Sequence, residues 1–127
     1  MTKRIEDYAL IGDCETGALV SGDGAIDWLC WPRFDSGAVF AALLGDTENG
    51  SWHIETVAPC QPKRHYAHNT LVLETDLETE TGRATRIDFM PFRSDGSSHV
   101  VRIVRGHSGR VTLRSRLALR FDYGSLV

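Results

Sequence analysis

The stretch "TLVLETDLETETGRATRIDFMP", Thr70–Pro91, decides how this chain is built. Apolar and polar residues alternate along it with period two, the pattern of a strand that buries one face. Leu71, Leu73, Thr75 and Leu77 fall on one face, and Val72, Glu74, Asp76 and Glu78 on the other. Glu80–Arg83 reads as the turn, with Gly82 placed for a positive φ. The returning strand sets Thr85, Ile87 and Phe89 opposite the leucine row. The stretch is an antiparallel hairpin with one apolar face.

The same pattern recurs in both directions. Upstream, "GALVSGDGAIDWLC" (Gly17–Cys30) is a hairpin turned at Asp23-Gly24, with Ile26, Trp28 and Cys30 sharing a face. "SWHIETV" (Ser51–Val57) is a further strand. Downstream, "HVVRIVR" and "RVTLRSRLALRF" flank "GHSG" (106–109) as another hairpin. Its inward row is Val111, Leu113, Ser115, Leu117, Leu119 and Phe121. Arg102, Arg105, Arg110, Arg114, Arg116 and Arg120 make a basic, solvated or docked face across it. Only "DSGAVFAALLG" (Asp35–Gly45) breaks the period: Asp35 or Ser36 caps a helix of about two turns and Gly45 ends it. The expected fold is all-β, an antiparallel β-sandwich of seven or eight strands with one short helix. Leu71, Leu73, Ile87, Phe89, Leu117 and Leu119 are its expected core.

The 127 residues amount to one ordinary domain, 42% hydrophobic and 24% charged. A net charge of −3 and a pI of about 5.9 give no bulk attraction to nucleic acid or to a membrane surface. No apolar run reaches the ~20 residues of a membrane helix, and the N-terminus lacks the apolar core of a secretory signal. Cys14, Cys30 and Cys60 are odd in number and share no metal-ligand spacing. They read as reduced thiols of a cytoplasmic protein.

Four aspartates adjoin aromatic residues: Asp27, Asp35, Asp88 and Asp122. Two carboxylates flanking a cleft suit glycoside hydrolysis, one as acid and one as base or nucleophile. Aspartates that accept backbone N–H groups at turns and strand ends leave the same trace, and that is the reading preferred for any pair. His65 and His68 lie three apart in "KRHYAHN", which reads as a loop entering a strand, so no metal site is expected. "GHSG" lacks the strand-to-helix context of a nucleophile elbow. The segment "WPRFDS" leaves a strand and is dense in costly residues. Trp31, Arg33, Phe34 and Asp35 therefore stand as candidate substrate-binding or domain-interface residues. Trp31 and Phe34 serve equally well as plugs for the open end of the sandwich.

Three segments carry a family likeness. "DYALIGDCETGALVSGDGAIDWLCWPRFDSGAVFAALLG", "RHYAHNTLVLETDLETETGRATRIDFMP" and "RFDYG" resemble, in order, the N-terminal region of glucoamylase-like proteins of glycoside hydrolase family 15, a group that includes trehalases. The likeness covers nearly the whole chain. Gly37 stands where the family usually has proline, and Leu77 where an aromatic is common. The resemblance implies an N-terminal β-sandwich followed by a linker helix and an (α/α)6 barrel. Two glutamates of that barrel act as general acid and base in an inverting hydrolysis of α-glucosides.

No position here corresponds to either glutamate. Residues 1–127 are accordingly expected to be a single N-terminal sandwich domain, a fragment with no catalytic residue, no metal and no cofactor of its own. Its implied partner is the catalytic barrel of the same polypeptide, with an α-glucoside substrate reached through the parent enzyme. No nucleic-acid or membrane partner is implied, and the isolated domain is expected to self-associate. The chief alternative is a free-standing carbohydrate-binding module. A small self-contained enzyme using Asp27 or Asp35 is a third.

Overall fold

The structure, a computed structural model, describes residues 4–31, 33, 35–44, 50–93 and 97–120. Ten strands occur among the described residues, in two antiparallel sheets. The first sheet holds β1 (Tyr8–Gly12), β2 (Gly17–Ser21), β3 (Ala25–Cys30), β4 (Ala38–Phe40), β5 (Ser51–Thr56) and β10 (Leu113–Ala118). Its order is β1-β2-β3-β5-β10, with β4 also paired to β3. The second sheet, in order, is β6 (Lys63–Tyr66), β7 (Leu73–Thr79), β8 (Gly82–Phe89) and β9 (Val101–Gly109). The main core lies between the sheets, where Ile11, Val20, Ile26, Leu29 and Phe40 of the first meet Leu73 of the second and Met90 just beyond β8. The all-β sandwich expected from the alternation is the fold observed.

Gly24 carries the β2–β3 turn at φ +96°. A Cβ there would lie 2.3 Å from the Ile54 carbonyl oxygen and 2.4 Å from Arg86 Nη1, so glycine is required by conformation and by space. Gly82 differs from expectation: it is absent from the positive-φ residues. Its need is close approach, since a Cβ would sit 2.6 Å from both the Arg110 amide nitrogen and the Ser108 carbonyl oxygen.

The β7–β8 hairpin forms, but its loop is Glu80-Thr81, because Thr79 pairs with Gly82. A two-residue loop sets odd positions opposite even ones, so Leu73 faces Asp88, Thr75 faces Arg86 and Leu77 faces Ala84. Leu73 and Leu77 are buried as expected, whereas the inward face of β8 belongs to Ala84, Arg86 and Asp88. Ile87 and Phe89 are only half-buried.

Other expectations give way as well. Leu71 is exposed because β7 begins two residues later, after a turn through Asn69 at φ 53°. "AVFAALL" forms β4 and a 3-10 turn at Ala42–Leu44 instead of an α-helix. A short apolar run carries no period to separate the two outcomes. "KRHY" is a strand, β6, paired in register with β7. "GHSG" is no turn: it continues β9, which pairs with β8, while β10 pairs with β5 in the other sheet. Leu117, on the edge strand β10, and Leu119, just beyond it, are exposed among the described residues. Phe121 lies outside the described residues.

Candidate functional site

Three charged clusters and one apolar groove are the candidates, and each is best read from its bonds. Between the sheets, Asp88 accepts Arg102 Nε at 2.7 Å and Arg86 Nε at 3.2 Å, with all three side chains buried. The arginines reach across to the other sheet. Arg102 donates to the carbonyls of Trp52 at 2.7 Å and Gly24 at 2.8 Å, and Arg86 donates to that of Ile54 at 2.9 Å. Arg102 also lies 5.1 Å from the centre of the Trp52 ring. Burial pushes the Arg86 guanidinium below its ordinary pKa, against the pull of Asp88. This is a staple between sheets built from structural bonds, with one buried donor, Arg86 Nη2, left without a partner among the described residues.

Asp27, on β3, accepts the Tyr8 hydroxyl at 2.6 Å and the Ser51 hydroxyl at 2.7 Å. Burial and the bond to the Asp27 carboxylate raise the Tyr8 phenol well above its ordinary value. Asp35 is exposed and lies 3.6 Å from Arg33 Nε. Asp122 is outside the described residues. The described aspartates of the sequence reading are each engaged structurally, and the two buried ones are closed to substrate.

The third cluster gathers one end of the sandwich. Asp13, after β1, accepts the amides of Glu15 and Thr16 at 2.9 Å each and Arg93 Nε at 2.8 Å. Burial alone would raise its carboxyl, but Arg93 and the two amides outweigh it and hold the pKa below the usual range. Ser98 donates to Asp13 at 3.4 Å and accepts the indole N–H of Trp31. Asp13 thereby ties the β1–β2 turn to Arg93 and, through Ser98, to Trp31 after β3.

Beside it lies a groove of 630 Å³, walled by Gly12, Tyr66, Leu71, Val72, Met90 and Phe92. Phe92 is 80% exposed on its rim. Such a surface accepts apolar side chains or ring faces and offers no acid–base pair.

The loop residues singled out from the sequence divide. Trp31 is half-buried and packs against the main core, while Arg33 and Asp35 are exposed and pair with each other. The loop closes through Arg33 N to the Ser36 hydroxyl at 3.1 Å and Ser36 N to the Arg33 carbonyl at 3.0 Å. Phe34 lies outside the described residues. The groove and the Asp13, Arg86–Asp88–Arg102 clusters were not singled out in advance. The spacing of Asp13 from Thr16 is a turn signal that could have found the first. His65 and His68 are exposed, and no group of three or more metal-binding side chains occurs among the described residues.

An antiparallel sandwich whose buried carboxylates, Asp13, Asp27 and Asp88, are spent on joining its own parts fits a structural or docking domain. The comparisons agree. The family described as "Trehalase-like, N-terminal" matches residues 1–127, and the chain belongs to that family. Similar relatives include a trehalase of Mycolicibacterium smegmatis, 33% identical over 94% of this chain and 20% of that protein. A trehalase of Mycobacterium tuberculosis is 33% identical over 96% of the chain and 21% of its own length. Trehalase 1 of Sulfolobus acidocaldarius is 35% identical over 94% of the chain and 20% of its length. The chain thus spans about a fifth of these relatives. No solved structure matches. No helix among the described residues is long and apolar enough to cross a membrane.

Proposed function

We propose that residues 1–127 serve as the non-catalytic N-terminal sandwich domain of a longer trehalase-like glycosidase. Its α-glucoside, trehalose by analogy with the relatives' names, is hydrolysed by an acid–base pair in an (α/α)6 barrel of the same polypeptide. One observation carries the reading: the family match spans the whole chain, which equals only about a fifth of each trehalase. The commitment of Asp27 and Asp88 to internal bonds supports it, because a general acid or base must be free to reach substrate.

In this reading the loop carrying Trp31, Arg33, Phe34 and Asp35 borders the barrel, and the adjoining groove offers it an apolar seat. The isolated chain self-associates through the apolar groove left uncovered. Three cysteines, none of them in a disulfide among the described residues, support a cytoplasmic location. Glucose release from trehalose and maltose tests the proposal. Purified 1–127 is expected to release none above a mock preparation, while the natural gene product hydrolyses an α-glucoside. Turnover by 1–127 alone would overturn it.

A further inference from the structure

Charge and exposure are distributed unevenly along the chain. Residues 101–120 contain six arginines and no carboxylate, although sixteen of the seventeen carboxylates precede residue 100. Arg102 is consumed by the inter-sheet staple. Arg105, Arg110, Arg114 and Arg116 are exposed, and among the described residues none of them meets a carboxylate. Interleaved with them, Ile103, Val104, Leu117 and Leu119 are exposed as well, Leu117 by 53%. Their strands are edges: β9 pairs only with β8 and β10 only with β5. β9 runs nine residues without proline and is exposed along most of its length. A free edge of that kind is a template for another segment.

We infer that β9 and β10 form a docking surface for an acidic, apolar-bearing protein segment of the same polypeptide. The inference rests on the reading that the chain belongs to a longer trehalase-like protein. Charge complementarity selects the occupant. The arginines call for carboxylates, the four aliphatic side chains call for apolar cover, and the strand edges call for main-chain partners. A nucleic acid would satisfy only the arginines, and these strands carry no phenylalanine, tyrosine or tryptophan on which a base could stack. A second copy meeting the first through the same surface would set arginine against arginine.

Hydrogen exchange on the natural gene product tests this, comparing wild type with an Arg114→Glu, Arg116→Glu variant. Both side chains are exposed, so folding is preserved, and Arg83→Glu is an exposed control. The expected result is slow exchange at the free edges of β9 and β10 in the wild type. In the variant it becomes about tenfold faster there, with β7–β8 unchanged and the control like wild type. Loop-like exchange at these edges in the wild type, or no change in the variant, would overturn the inference. So would protection that grows with protein concentration, protection that appears only with added heparin or RNA, or a gene product ending at residue 127. Exchange is read without substrate, so failure of α-glucoside hydrolysis would sink the proposed function and leave this result standing.

Discussion

Two sets of arginines separate two regions of the molecule. Arg86, Arg93 and Arg102 are buried or nearly so, each bonded to a carboxylate, and they hold the parts of the sandwich to one another. Arg105, Arg110, Arg114 and Arg116 are exposed on the last two strands and bond to no described carboxylate. The first set must be paired, because a guanidinium out of water is tolerated only when its charge is met. The second remains in solvent and costs the isolated chain nothing. The contrast teaches that the interior ion pairs are finished, Arg86 Nη2 aside, while the β9–β10 edge is open. The same residue type builds the fold in one place and awaits a surface in the other.

The largest expected effect breaks the finished region. Asp88→Ala leaves two buried guanidinium groups side by side and should cost about 3–5 kcal/mol of unfolding free energy in urea. A loss under about 1 kcal/mol would mean that the staple is not what joins the sheets.

The next compares two leucines. Leu73→Ala, in the main core, should cost about 2–5 kcal/mol, and Leu117→Ala on the exposed edge about 0.5 kcal/mol or less in the same chain. Equal losses would erase the distinction between the regions.

A smaller effect depends on pH. The Asp13 carboxyl is held below its ordinary value by Arg93 and two amides, so the folded state releases its proton more readily than the unfolded chain. Its contribution is present above the unfolded value of about 3.9 and is lost as pH falls through the lower folded value. The urea midpoint of the wild type should therefore fall more steeply below about pH 4 than that of Asp13→Asn. Parallel curves would contradict the assignment.

The smallest expected effect is at the loop. Arg33 and Asp35 are paired on the surface, so Arg33→Ala should change the isolated chain by less than about 1 kcal/mol. A larger loss in the longer natural protein, seen as a lower Tm or activity, would sharpen the interface role of the loop. Equal losses in both would make the loop ordinary internal structure.

Much of the fold was legible because period-two alternation is a strong signal. The Asp23-Gly24 turn, the β7 core face and the sandwich class were read from it. The errors arose where one residue decides a register. A two-residue loop at Glu80-Thr81, in place of an odd one, turns Arg86 and Asp88 inward and leaves Ile87 and Phe89 half-buried. Gly106 and Gly109 look like turn residues, yet they lie within β9, so the crossing of β10 to the other sheet was invisible. The buried charge cluster was missed for a related reason. An arginine in a strand reads as solvent-facing until its carboxylate and carbonyl acceptors are brought beside it from other strands. The loop at Trp31 was recognisable by composition, but the bond of its indole to Ser98, far along the chain, was not.

The most direct measurement is the urea midpoint of the purified chain for two variants. One is Arg102→Met, and the other combines Arg105→Gln, Arg110→Gln, Arg114→Gln and Arg116→Gln. The first removes one guanidinium from the staple, with its bonds to Asp88 and to the carbonyls of Trp52 and Gly24, so its midpoint should drop by the equivalent of about 3 kcal/mol or more. The fourfold variant removes more charge but no side-chain bond among the described residues, and its stability should stay within about 0.5 kcal/mol of wild type. A fourfold variant as unstable as Arg102→Met would contradict the division between arginines that build this fold and arginines that await another surface.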